Sequence, residues 1–197
     1  FVKWLGRYLK GTRNKGTIMR PDKSKGLEVF VDADFAGNWD PDEYADRDTA
    51  RSRHGYYITY AGCPILWKSQ LQTEVALSST ESEYTGLSYA LREAIPIMNL
   101  FQEMLDQGIP VASSNTQVHC KVFEDNTGAL EIAKVHKYRP RTKHLNCRLH
   151  HFRSYIGKGP GQISIQKIDT KDQPADMLTK PLSIELLVKF RKMMMGW

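Results

Sequence analysis

Apolar and polar residues alternate along Leu27–Asp34 (LEVFVDAD), the period of a strand with one face against a core. Val29, Val31, Ala33 and Phe35 share one register, and Glu28, Phe30, Asp32 and Asp34 share the other. HGYYITYAG and PILWKSQLQ are β-rich runs parted by a Gly62-Cys63-Pro64 turn, which predicts a hairpin. The period becomes helical over about Thr80–Gln107, where Leu87, Leu91, Ala94, Met98, Phe101 and Leu105 form one apolar stripe. Pro96 is expected to kink or split this helix. Beyond it the chain predicts a fourth strand (TQVHCKVFED) and a short helix from about Thr127 to Val135. A basic helix from about Thr142 to Ile156, a fifth strand (QISIQKID) and a last helix from about Pro174 onward, interrupted by Pro181, complete the order. Ahead of all of these, Phe1, Leu5, Tyr8 and Leu9 line one side of a helix that Gly11 ends. Polar residues 12–26 then read as a linker. A meander of three strands followed by strands alternating with helices implies an α/β fold, a mixed sheet with helices packed on it.

The 197 residues suit one domain with a sizeable core. The first residue is Phe1, as expected of a piece of a longer product, and no apolar run is long enough to span a membrane. Three scattered cysteines without a CxxC point to a reduced, intracellular protein. The net charge of +6 is uneven. Residues 134–158 hold eight Lys and Arg, four His and no acid, so the rest carries 20 basic against 22 acidic residues. A solvated helix face normally intersperses acids, so this block, with Lys137, Arg139, Arg141, Lys143, His144 and Arg148, points to a polyanion.

Acids after apolar runs need an explanation, because buried charge is costly unless something pairs with it. Asp32 and Asp34 project from one face if the strand persists that far. Projecting the helical stripe back at about 100° per residue puts Glu83 about 40° from Leu87 and Glu81 about 120° away. Glu83 thus faces the sheet, although Thr80-x-x-Glu83 also fits a capping box, as Ser78-x-x-Glu81 does. Asp125 closes an apolar run and could equally be a turn residue. Asp176 follows Pro174 in a helix's first turn, where an acid also suits the helix dipole. Taken together, Asp32, Glu83, Asp125 and Asp176 come from four elements, and such a set can surround hard divalent cations. Two Mg²⁺ ions about 4 Å apart serve phosphodiester cleavage.

Five stretches, FVDADFAG, SSTESEYTGLSYALREA, VFEDNTGALEIAK, RTKHLNCRLHHFR and KDQPADMLTKPL, resemble the ribonuclease H domain of copia-type long-terminal-repeat retrotransposons, in that family's order. The resemblance covers about residues 27–185. It implies a ribonuclease H-like fold, a five-stranded mixed sheet flanked by helices. It also implies an endonuclease that cuts the RNA strand of RNA–DNA hybrids with two Mg²⁺ ions, for which Mn²⁺ can substitute. By motif, Asp32, Glu83, Asp125 and Asp176 are then catalytic and metal-binding. Asp34, nearer the loop, is expected to hold a metal-bound water or to orient a loop residue such as Arg51 or Arg53, the alternative being a simple turn residue at the strand end. Residues 1–20 resemble the end of an upstream reverse transcriptase, leaving 21–183 as the ribonuclease H domain and 184–197 as a helical tail. The implied partners are the hybrid and the reverse transcriptase domain. The implied location is cytoplasmic, within virus-like particles.

Two departures stand out. Related ribonucleases H carry a His before the last acid, where this chain reads DTKDQP, and many copia-type relatives have Asp in place of Asn146. Three other readings compete. His144, Cys147 and His151 have zinc-ligand character on one helix face but lack a fourth partner in sequence. Integrases and transposases run Asp, Asp, Glu, whereas the order here is Asp, Glu, Asp, Asp. A non-catalytic nucleic-acid-binding or tether domain is expected to lose the acids, and all four are present.

Overall fold

The computed structural model describes residues 2–114, 116–134, 150–156 and 163–197. Its strands are β1 (Leu27–Ala33), β2 (Arg53–Tyr60), β3 (Cys63–Leu71), β4 (Cys120–Glu124) and β5 (Ile163–Lys167). They form one mixed sheet in the order β3-β2-β1-β4-β5. The β1–β2–β3 meander is antiparallel, and β4 and β5 add in parallel. The α-helices among the described residues are α1 (Val2–Thr12), α2 (Arg47–Ala50), α3 (Ser79–Asp106), α4 (Thr127–Lys134) and α5 (Ile184–Met195).

The two registers of β1 serve two faces. Leu27, Val29 and Val31 join Tyr56, Ile58, Cys120, Val122, Ile163 and Ile165 in one core with Tyr84, Leu87, Leu91, Ala94 and Met98 of α3. On the other face Phe30 stacks on Phe123 at 4.8 Å and tilts against Tyr57 at 6.0 Å. The Tyr57 hydroxyl reaches the Met194 carbonyl at 3.4 Å, and α5 adds the fully buried Phe190. Thus 184–197, expected as a tail, covers this second face. The Trp197 indole N–H donates to the Gly16 carbonyl and the Ile18 N–H to the Met195 carbonyl, each at 2.9 Å.

Three sequence expectations change. Pro96 does not split α3, which runs unbroken through it; Pro96 is exposed, so the freed carbonyl one turn earlier can meet water. The last helix does not start at Pro174: Pro174–Leu178 is a 3₁₀ turn, and α5 begins after Ser183, whose hydroxyl accepts the Leu186 N–H at 3.4 Å. The described end of the expected basic helix, His150–Tyr155, is also 3₁₀, and its residues 142–149 lie outside the described set.

Two glycines set how closely these layers approach. A Cβ on Gly86 of α3 would lie 3.4 Å from the Cβ atoms of Ala33 and His54, so the helix rests directly on β1 and β2. A Cβ on Gly55 would lie 2.5 Å from Leu178 Cβ and 3.0 Å from Thr179 Cγ2, so the turn at 174–178 lies directly on β2. Gly55 pairs with Asp32 across the sheet, so this contact fixes where the turn meets β1. Gly55→Ala is expected to lower stability by about 1–3 kcal/mol through overpacking. Urea denaturation checks this, and an unchanged midpoint would mean that the turn moves freely off the strand.

His54 is 1% exposed, stacks on Tyr89 at 4.5 Å, and has no hydrogen-bond partner on either ring nitrogen among the described residues. Burial, aided by Lys68 and Arg53, lowers its pKa from 6.5 to about 4. Its stabilising contribution is therefore complete above the unfolded value and is lost as pH falls from 6.5 to about 4. His54→Phe keeps the stack and removes the titration. Its stability at pH 7 should match wild type, while its loss down to pH 4 should be smaller by on the order of 3 kcal/mol. Parallel stability–pH curves for the two proteins would contradict this.

Candidate active site

The β1–β4 ladder ends at the pair Phe30–Phe123. Asp32 and Asp125 each lie two residues beyond it, so parallel pairing brings these acids to equivalent places at the strand ends. The Gln173 side-chain N–H₂ donates to both carbonyls left there, Val31 at 2.9 Å and Phe123 at 3.2 Å. This fully buried amide closes the gap between the strands and starts the turn that carries Asp176.

Glu83 stands one turn inside α3. The helix is capped by Ser78, whose hydroxyl accepts the Glu81 N–H at 3.1 Å, so Glu83 is not its cap. Glu83 Oε2 instead accepts the Ala33 N–H at 2.7 Å, which anchors it to β1 beside Asp32. Asp32 is 0% and Asp176 2% exposed. The Thr179 hydroxyl donates to Asp32 Oδ2. The Lys180 ammonium lies 3.4 Å from Asp32 Oδ1 and 3.0 Å from Asp176 Oδ1. The latter is a close charge-assisted contact, and it is the partner of Asp176 Oδ1 among the described residues. Asp125 is half-buried and accepts from the Thr170 hydroxyl at 2.6 Å.

One oxygen each from Asp32, Glu83 and Asp125 lies within 4.8 Å of the other two. Oxygens on one Mg²⁺, each about 2.1 Å from it, lie at most about 4.2 Å apart, so a small inward adjustment makes this set a fit. The donors are all carboxylate, which suits a hard dication. Burial raises the proton affinity of Glu83, Asp176 and Glu124. Burial, then the charges of Glu124, Asp32 and Asp125, pushes the Glu83 carboxyl far above the carboxylate range. Burial and then Asp32 push Asp176 up to about 7, against the pull of Lys180. Glu124 is fully buried and also raised, chiefly by burial; its Oε1 accepts the Asn126 N–H at 3.0 Å and its Oε2 has no partner.

Asp34 falls just past β1 and turns to the backbone. Its Oδ1 accepts the Arg53 N–H at 2.6 Å, its own N–H donates to the Arg53 carbonyl at 2.9 Å, and it accepts a further backbone bond from Gly37. It thus orients Arg53 through the main chain, while Arg51 pairs with Asp48 at 2.6 Å. Lys137, Arg139, Arg141, Lys143, His144 and Arg148 lie outside the described residues, as do His144 and Cys147 of the zinc reading. Gln173, Thr170, Thr179, Lys180 and Glu124 join the site without a sequence pattern that marks them as a set. The available signal for Lys180 was its place four residues after Asp176, the spacing of a helical ion pair.

No family model matches the chain. Over 179 residues it is 35% identical to the retrovirus-related Pol polyprotein from transposon TNT 1-94 of Nicotiana tabacum, covering 91% of this chain and 12% of that protein. Over 182 residues it is 33% identical to the retrovirus-related Pol polyprotein from transposon RE1 of Arabidopsis thaliana, covering 92% and 11%. The chain therefore spans only about a ninth to an eighth of the length of these curated relatives. In structure it is similar to the N-terminal ribonuclease H domain of rv2228c from Mycobacterium tuberculosis, with TM-score 0.50, 13% identity, and coverage of 86% of this chain and 98% of that one. It is also similar to LC11-RNase H1, isolated from compost by a metagenomic approach, with TM-score 0.50, 16% identity, and coverage of 79% and 93%. The chain is thus similar to a segment of copia-type retrotransposon Pol polyproteins and has the fold of ribonuclease H domains.

Proposed function

We propose that the chain is an endonuclease that hydrolyses the RNA strand of RNA–DNA hybrids during reverse transcription, with two divalent cations held by Asp32, Glu83, Asp125 and Asp176. The observation that carries this reading is the convergence of three carboxylate oxygens within 4.8 Å at the end of the sheet, with Asp176 joined to Asp32 through Lys180. Asp32 is common to two groupings, one with Glu83 and Asp125 and one with Asp176. Bound there, Mg²⁺ or Mn²⁺ would activate a water and offset the charge that builds on the phosphate. The protein's part is to hold the acids: Thr179 fixes Asp32, Thr170 fixes Asp125, and the Ala33 N–H fixes Glu83. Thr170 belongs to the DTKDQP segment, where the resemblance leads one to expect a His.

The basic block 134–158 supplies the cationic surface for the hybrid's phosphates, and the RNA strand is recognised by its 2′-hydroxyls. The upstream partner is a reverse transcriptase domain. In support, α1 buries no residue, and its Val2 and Trp4 are 80% and 73% exposed.

A labelled hybrid should be cut with Mg²⁺ or Mn²⁺, and duplex DNA and duplex RNA should not. Equal cleavage of duplex DNA, or full activity in EDTA, would sink the proposal. Asp125→Asn should lower turnover by orders of magnitude with little loss of hybrid binding. If binding alone is lost, Asp125 is structural and the non-catalytic reading gains.

Neutralising Lys143 and Arg148 together should weaken binding to all hybrid sequences alike. Each lost phosphate contact should flatten the log–log salt slope by roughly 0.7–0.9. An unchanged slope would make the block a solvated surface.

A further inference from the structure

Lys180 stands where a cation is needed. Its ammonium touches the two buried carboxylates Asp32 and Asp176, at 3.4 Å and 3.0 Å. These acids belong to elements far apart in sequence, so the pair is made by the fold. Lys180 is the close partner of Asp176 Oδ1 among the described residues. The Lys180 backbone is fixed by its N–H bond to the Asp176 carbonyl at 3.1 Å, whereas its side chain is 36% exposed. The ammonium can therefore swing to solvent without disturbing the turn.

We propose that Lys180 is a built-in counter-cation for the Asp32–Asp176 pair, which a divalent ion must displace before it can bind there. This rests on the two-cation reading above. The exclusion is electrostatic and steric. A dication held by these oxygens and an ammonium in contact with both would crowd two positive groups into one space. In the Asp32–Glu83–Asp125 grouping the ammonium meets Asp32 alone: no lysine or arginine forms an ion pair with Glu83 or Asp125 among the described residues. The two positions are therefore unequal. One has a single acid in contact with the ammonium, and the other has both of its acids held by a side chain that leaves when a second ion arrives. Lys180 is in this sense a positioning residue. It keeps the two acids together in the metal-free protein and sets the affinity of one position.

The test uses the full chain, Mn²⁺ alone as the probe, and no substrate. Isothermal titration of the wild type should show one tighter and one weaker ion. In Lys180→Gln the weaker ion should tighten by about tenfold or more, within the range of coupled sites. Lys180→Arg, which keeps the cation, should retain the wild-type pattern. In EDTA, Lys180→Gln should melt below the wild type, and Mn²⁺ should raise its melting temperature by a larger increment. Unchanged or weaker Mn²⁺ binding in Lys180→Gln would overturn the proposal, and so would tightening in Lys180→Arg equal to that in Lys180→Gln. A parallel hybrid-cleavage assay separates the two readings. Cleavage by the wild type without any change in Mn²⁺ affinity in Lys180→Gln overturns the counter-cation and leaves the nuclease. Tightening in Lys180→Gln without cleavage by the wild type overturns the nuclease and leaves the counter-cation.

Discussion

Asp32 is fully buried on the central strand, and the cost of holding that charge organises its surroundings. A carboxylate there needs donors, and β1 supplies none on that face. They come from the opposite end of the chain, as the Thr179 hydroxyl and the Lys180 ammonium. For them to arrive, the turn at 174–178 must lie directly on β2, which the missing Cβ of Gly55 permits. Because Gly55 and Asp32 are register partners, shifting β1 by one residue would carry Asp32 to the α3 face and break the whole arrangement.

The sheet's two faces divide the work. The face under α3 is a continuous apolar core, and α3 lies close enough, at Gly86, for Glu83 to reach the Ala33 N–H. The other face carries Phe30, Tyr57 and Phe123 beneath α5, with Asp32 at its edge. Gln173 sits where the two parallel strands stop pairing and satisfies a carbonyl from each. Without it two buried acceptors would lack partners just where the acids gather, at a cost of about 1–3 kcal/mol each.

The sequence was most readable where a period carried the information. The stripe from Leu87 to Leu105 gave α3 and aimed Glu83 at the sheet, and the alternation in LEVFVDAD gave β1. Residues that act singly over long separations were not readable. Gln173 meets Val31 from 142 residues away and Thr179 meets Asp32 from 147, and no periodicity encodes such bonds. Asp34 illustrates the limit of the strand rule. It shares a register with Asp32, but β1 ends at Ala33, and beyond that point the side chain follows local backbone donors instead. The helix expected from Pro174 failed for a related reason. Pro174 suits the first turn of a helix, but Pro181 seven residues later leaves room for only a short 3₁₀ turn before Ser183 can start α5.

The same burial that costs the fold stability gathers carboxylates that could hold a cation. Glu83, Glu124 and Asp176 are all raised above the ordinary carboxylate range, with burial as the largest cause in each. Burying acids without matching donors is unfavourable, and Lys180 offsets only part of the deficit. A ligand that binds the folded chain but not the unfolded one recovers stability through mass action. A group of acids that a packed core could have avoided is thus kept at the end of the sheet. Its instability there is confined to a few side chains, because β1, α3 and the turn on Gly55 are each held by apolar packing or backbone bonds that do not depend on the charge.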